Sequence, residues 1–214
     1  KRQALQFAGQ WHPDRILKGK LLVHNIRIEE WADMEDDFHL TGKIDANFKP
    51  FRWKNLTGKA NLLLYDSHFA GLDADTVRLD LTAQKGQITV LPATVIQITD
   101  SVRFNFEGTI ENNGEIDLSV NTFDMKIASL MESLKQDTLK GYMDGHFRAY
   151  GPVKDPSISG LFTMPFFEKD SILLNQIRFD LFARDVFSKR QGTADFSIRS
   201  ADIEKFPMKD IMFH

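Results

Sequence analysis

From Phe38 to Phe48 the chain alternates without a break. Phe38, Leu40, Gly42, Ile44, Ala46 and Phe48 stand against His39, Thr41, Lys43, Asp45 and Asn47. Successive side chains of a strand point to opposite faces, so such a stretch has one apolar and one solvated face. The pattern returns over 101–110, where Val102, Phe104, Phe106 and Ile110 oppose Arg103, Asn105 and Glu107. Shorter runs repeat it: Leu62 and Leu64; Val77, Leu79 and Leu81; Ile116, Leu118 and Val120; Ile177, Phe179 and Leu181; Phe196 and Ile198. A chain built this way predicts an all-β fold, a long antiparallel sheet with a continuous apolar side.

Turn residues divide the chain into strands. Residues 1–19 show no period, broken by Trp11, Pro13 and Gly19. Strands are predicted at about 20–28 (Leu22, Ile26 and Ile28 in one phase), 38–48, 56–64, 76–83, 87–90, 94–99, 101–110 and 115–121. The acidic stretch 29–37 reads as a turn, and Pro50 ends the strand before it, since proline cannot donate to a central ladder. Further turn signals are Asp66-Ser67, Gly71, Lys85-Gly86, Asp100 and Asn112-Asn113-Gly114. Asn-Gly between two alternating runs predicts a hairpin over 103–121. Ile127, Leu130, Met131 and Leu134 break the period of two and predict a short helix at about 126–136. Strands resume at 140–150, 157–163, 172–183 and 193–199. Length and pattern together predict a single domain over 1–214, a sandwich, barrel or extended sheet.

Charge excludes one class of partner. A net charge of −3, with Lys and Arg scattered on polar phases, argues against nucleic acid. With no cysteine there are no disulfides, thiolate metal sites or cysteine nucleophiles. No apolar run reaches the length of about 18 residues that a spanning helix needs. The start at Lys1 rather than Met, and the apolar Ile211-Met212-Phe213 before the last residue, predict a fragment of a longer protein.

No catalytic constellation is present, and no enzyme, cofactor or metal is expected. His12, His24, His39, His68, His146 and His214 share no metal-ligand spacing. The acidic run Asp33, Glu35, Asp36, Asp37 lacks the glycine of a calcium loop, because Gly42 lies too far on. No Gly-x-Ser-x-Gly elbow exists, and Ser67 and His68, adjacent on a strand, would face opposite ways. Asp73 and Asp75 could line a glycosidase cleft, but such carboxylates are as readily explained as solvated surface.

The 18 phenylalanines matter through their phase. Phe38, Phe48, Phe104, Phe106, Phe147, Phe179 and Phe196 all fall on apolar phases. Burying one such side chain is worth about 1.5–3 kcal/mol, so some ten left half-covered would cost on the order of 10 kcal/mol. Either the sheet folds over on itself or something apolar lies against it.

Residues 141–164 carry a resemblance. Gly141-Tyr142-Met143-Asp144-Gly145-His146-Phe147-Arg148-Ala149-Tyr150-Gly151, then Asp155-Pro156-x-Ile158-x-Gly160-x-Phe162, resembles the repeat signature of the TamB/AsmA-like envelope proteins. Phe106-x-Gly108-x-Ile110, Gly114-x-Ile116-x-Leu118, Asp124 and Leu139-x-Gly141 extend it, so the specific part covers about 101–164. Residues 15–100 and 171–200 are similar only in style.

The resemblance implies a curled antiparallel sheet forming an open, U-shaped groove with an apolar interior. It implies a periplasmic bridge conducting phospholipids between inner and outer membranes. Further implied are an inner-membrane anchor outside this stretch and, for some members, support of outer-membrane assembly with a barrel partner. The expected groove lining is Phe38, Leu40, Ile44, Phe48, Leu62, Leu64, Val77, Leu79, Leu81, Val102, Phe104, Phe106, Ile110, Ile116, Leu118, Val120, Phe147, Ile177, Phe179, Leu181, Phe196 and Ile198. The alternative is a closed β-sandwich or stalk-like binding module with an ordinary dry core; a β-rich polysaccharide enzyme stands third.

Overall fold

A computed structural model describes residues 3–12, 16–27, 38–49, 53–69, 72–133, 139–188, 191–203 and 206–213. Thirteen strands carry them. They are β1 (Ala4–His12), β2 (Ile16–Arg27), β3 (Phe38–Phe48), β4 (Gly58–Phe69), β5 (Leu72–Gln84), β6 (Gln87–Thr99) and β7 (Val102–Ile110). Then follow β8 (Glu115–Lys126), β9 (Lys140–Pro152), β10 (Ser157–Lys169), β11 (Ile172–Arg184), β12 (Gln191–Ile203) and β13 (Phe206–Phe213). A 3-10 turn covers Trp53–Asn55, and one helix, α1, covers Ile127–Ser133. Strand order follows chain order from β1 to β13, so strands consecutive in the chain are neighbours in the sheet, and the sheet does not close. By compactness the chain divides into two units, Lys1–Thr99 with Asn105–Asn113, and Asp100–Phe104 with Gly114–His214.

The alternation sets these strands, and β3 has the bounds its pattern predicts. The Lys85-Gly86 reversal forms with φ values of 52° and 83°, and Gly114 at φ 87° follows the turn at Asn112-Asn113. The helix occupies Ile127–Ser133 of the expected 126–136, the remainder from 134 lying outside the described residues. The expectations for 29–37, Pro50 and Gly71 also fall outside them.

Five expectations need correction. Residues 4–12, read as irregular, form β1, in unbroken register with β2 from Ala4↔His24 to His12↔Ile16. The two short strands at 87–90 and 94–99 are one strand, β6, carrying a register shift against β5 where Pro92 removes a donor. Asp66-Ser67 is not a turn between strands. Asp66 takes a left-handed conformation (φ 45°) within β4, and the apolar phase inverts there, burying Leu64 before it and Ser67 after it. In β2, Asn25 (φ 49°) does the same, so Val23 and Ile26 are both buried while Leu22 is 49% exposed on the other phase. Asp124 repeats the device in β8, between buried Thr122 and Met125. Such one-residue interruptions bend a strand and sharpen its twist. Alternation stops at that point, so the pattern over 56–64 and 115–121 ends before the strands β4 and β8 do.

Candidate functional site: the apolar rows of the sheet

Register lays the apolar phases side by side. In the first unit, Phe7, Leu21, Ile44, Leu62 and Leu79 occupy opposed positions on five adjacent strands. Leu5, Val23, Gly42, Leu64, Val77 and Ile96 form the next row, and Ala46, Ala60, Leu81 and Val90 the row on its other side. Opposed side chains on one face lie close enough to pack directly, so each row is a continuous apolar band.

The second unit builds the same pattern with aromatic rings. Phe162, Phe179, Phe196 and Phe213 stand opposite one another on β10 to β13. Centroids are 6.1 Å apart for Phe162–Phe179 and again for Phe196–Phe213. The flanking rows are Val120, Phe147, Gly160, Leu181 and Ala194, and Met164, Ile177, Ile198 and Ile211. Glycine has a definite use here. A Cβ on Gly160 would meet the Phe147 ring at 2.9 Å, and one on Gly145 would meet the Phe162 ring at 3.2 Å. Each ring lies over the glycine directly across from it.

The opposite phase is polar. Arg148 forks onto Asp117 with two hydrogen bonds of 2.7 Å, and Arg178 Nε donates to Asp180 at 2.7 Å. Hydrogen bonding to these guanidinium groups holds both carboxyls below the usual aspartate range, and the same bonds raise the two arginines. Lys20 pairs with Asp45 at 3.6 Å and Lys140 with Glu168 at 2.7 Å. Asp80 is 4% exposed on this phase, accepting from Asn61 Nδ2 at 2.5 Å and from Arg78 Nε at 2.7 Å. The division is incomplete, since Leu22, Leu63, Leu161 and Phe182 also occupy polar-phase positions.

Of the expected lining, Ile44, Leu62 and Leu79 share one row; Leu64 and Val77 the next; Val120, Phe147 and Leu181 another; Phe179 pairs with Phe196 and Ile177 with Ile198. Leu40 stands opposite Ile26, Phe48 opposite Gly58, Leu118 opposite Ala149 and Ile116 opposite Gly151; Phe38 is placed only by its register with Phe69. Phe104 and Phe106 are half-buried on β7 between exposed Arg103 and Glu107, and Ile110 is half-buried at the end of the same strand. Val102 is fully buried and Leu64, Ile177 and Ile198 are buried, while the other described lining side chains are half-buried. Sequence reasoning missed Phe7, Leu21, Phe162, Met164, Ile211 and Phe213. Phe162 was visible, because it closes the Ile158-x-Gly160-x-Phe162 motif on the same phase.

His39 and His68 are register neighbours with ring centroids 6.2 Å apart, and His68 Nδ1 lies 2.7 Å from Asp73 Oδ1. Among the described residues no three metal-ligating side chains gather as a cation would need. No family model matches the chain, and no curated protein or solved structure matches it.

Proposed function

We propose that this chain is a segment of a lipid-conducting β-sheet, an open U-shaped groove along whose apolar rows phospholipid acyl chains slide. The observation that carries the reading is the aromatic row Phe162, Phe179, Phe196 and Phe213, whose rings all keep part of their surface exposed. Large side chains in a dry core are normally covered from above as well as from the sides. Here the rows are packed edgewise by their neighbours, and acyl chains would supply the missing layer. Transfer of a chain from water gains about 0.8 kcal/mol per CH₂, while transfer from a bilayer is near neutral, as conduction rather than trapping requires. Headgroups stay in solvent, so no polar pocket is called for. The likeness of 101–164 to TamB/AsmA-like repeats supports a periplasmic bridge between the two membranes, with the anchor and any barrel partner outside this stretch.

The test is lipid analysis of the purified chain combined with photo-crosslinking. Phospholipid recovered in stoichiometric amount, crosslinked from Leu79 and Phe104 but not from the polar-phase Lys43 and Arg103, is the expected result. Leu79→Arg and Phe104→Asp should abolish lipid transfer between vesicles while the strand content stays unchanged. A folded, lipid-free chain in which these positions crosslink to nothing would sink the conduit and favour a scaffold module.

A further inference from the structure

The helix α1 lies over the apolar face of the sheet. Gly141, Met143, Gly145 and Phe147 alternate along β9 and so share one face, the face on which the Phe162 ring lies over Gly145. A Cβ on Gly141 would meet Ile127 Cδ1 at 3.2 Å on that side. Gly141 also takes φ 150°, and the Phe166 carbonyl oxygen would stand 2.5 Å from the same Cβ. Only glycine fits there, and its missing side chain leaves the room that Ile127 fills. Ile127 is buried and Leu130 and Met131 are half-buried, at the spacing of one helix face, whereas Lys126 and Glu132 are exposed. The helix packs against β8 and β9, and the Lys126 N–H donates to Ser101 O at 3.1 Å, which ties its start to the turn before β7. A helix of seven residues is marginal by itself, so this packing is what holds it.

Around α1 the apolar face is dry. Met125, opposite Met143, is 1% exposed, and Val102 is 0% exposed. Among the described residues these are the largest side chains covered so completely. Further along β9 the cover ends: Phe147 is half-buried, and so is Phe162 across from Gly145. We infer that α1 is a built-in occupant of the apolar face, which fills at Gly141 and Met143 the place acyl chains take elsewhere and confines lipid to the rows of Phe147 and Phe162. An Ile-Leu-Met helix face and an acyl chain offer the surface the same kind of apolar contact, and one surface cannot hold both. The helix has the advantage, because it belongs to the chain and meets the surface as a tethered segment. The inference rests on the conduit reading and adds a boundary to it, within a single strand.

The test places benzoylphenylalanine at Met143 or at Phe147 of the full chain, two positions on one face of one strand about 13 Å apart. Each protein is irradiated with vesicles of phosphatidylethanolamine and phosphatidylglycerol. Lipid should be captured at Phe147 and not at Met143. In the double variant Ile127→Ser, Leu130→Ser, capture at Met143 should rise to the level of Phe147. A second reading needs no lipid. Because the chain has no cysteine, Met143→Cys reports the cover directly through its alkylation by iodoacetamide. That alkylation should run about tenfold faster in the double variant, since lost packing raises the uncovered population. Leu130→Ala, a milder change, should move both readings the same way and serves where the double variant loses strand content. Capture at both positions with α1 intact overturns the inference and leaves the conduit standing. Capture at neither position sinks the conduit and the inference with it. Fast alkylation without any gain of lipid at Met143, while Phe147 still captures it, also overturns the inference.

Discussion

The Phe147 and Phe162 rings meet edge to face, with centroids 4.6 Å apart and planes at 74°. Each lies over a glycine of the neighbouring strand, Phe147 over Gly160 and Phe162 over Gly145. Edge-to-face pairs add about 0.5–1.5 kcal/mol beyond the area they bury. A double-mutant cycle of Phe147→Leu and Phe162→Leu, read by urea unfolding, should return a coupling of that size. A coupling near zero would mean that the rings merely share a row.

Thr122 continues the row of Gly145 and Phe162, and its hydroxyl is buried with no hydrogen-bond partner. An unpaired buried hydroxyl carries a desolvation penalty that an isosteric methyl group does not. Thr122→Val should therefore stabilise the chain by about 1 kcal/mol, seen as a higher urea midpoint with unchanged slope. A loss of stability would show that the hydroxyl is satisfied in solution.

Asp80 is held between β4 and β6. Its carboxylate takes hydrogen bonds from Asn61 and Arg78, and Thr94 Oγ1 accepts from its backbone N–H at 3.0 Å. Removing the acceptor strands a part-buried amide and a guanidinium. Asp80→Ala should cost about 1–3 kcal/mol, whereas Asp80→Asn, which keeps one oxygen, should cost less. Equal losses for the two would show that the carboxylate's geometry is not what the site uses.

The Arg148–Asp117 and Arg178–Asp180 pairs predict the acid limb of stability. In both, the folded carboxyl is held below its ordinary value by the guanidinium hydrogen bonds. Their contribution is therefore complete above the unfolded aspartate value of about 3.9 and is lost as pH falls through the lower folded values. Arg148→Ala should return the Asp117 titration, followed by carboxyl NMR, upward toward the ordinary range. Both pairs are exposed, so the change at neutral pH should be small. An unmoved Asp117 titration would rule the pairing out.

Much of this protein follows from alternation. A period of two over Phe38–Phe48, Val102–Ile110 and the run Ile177, Phe179, Leu181 is enough for strand, phase and antiparallel sheet, because side-chain direction in a strand is a local property. The Lys85-Gly86 reversal and the helix at Ile127 were legible for the same reason: both rest on residues within one turn of each other. Local pattern could not show the inversions. Asn25, Asp66 and Asp124 look like turn formers, and nothing local tells a left-handed residue inside a ladder from one that ends it. That choice belongs to the neighbouring strand, which either continues to supply hydrogen bonds beyond the interruption or does not. Register is likewise not local. Phe162, Phe179, Phe196 and Phe213 lie 17 residues apart in sequence, and only the pairing of β10 through β13 makes them one row. The sequence by itself determined most of the strands and, up to each inversion, their two faces; the tertiary structure decided where a strand continues past a left-handed residue and which residues share a row, because both depend on hydrogen bonds between segments the chain does not place side by side.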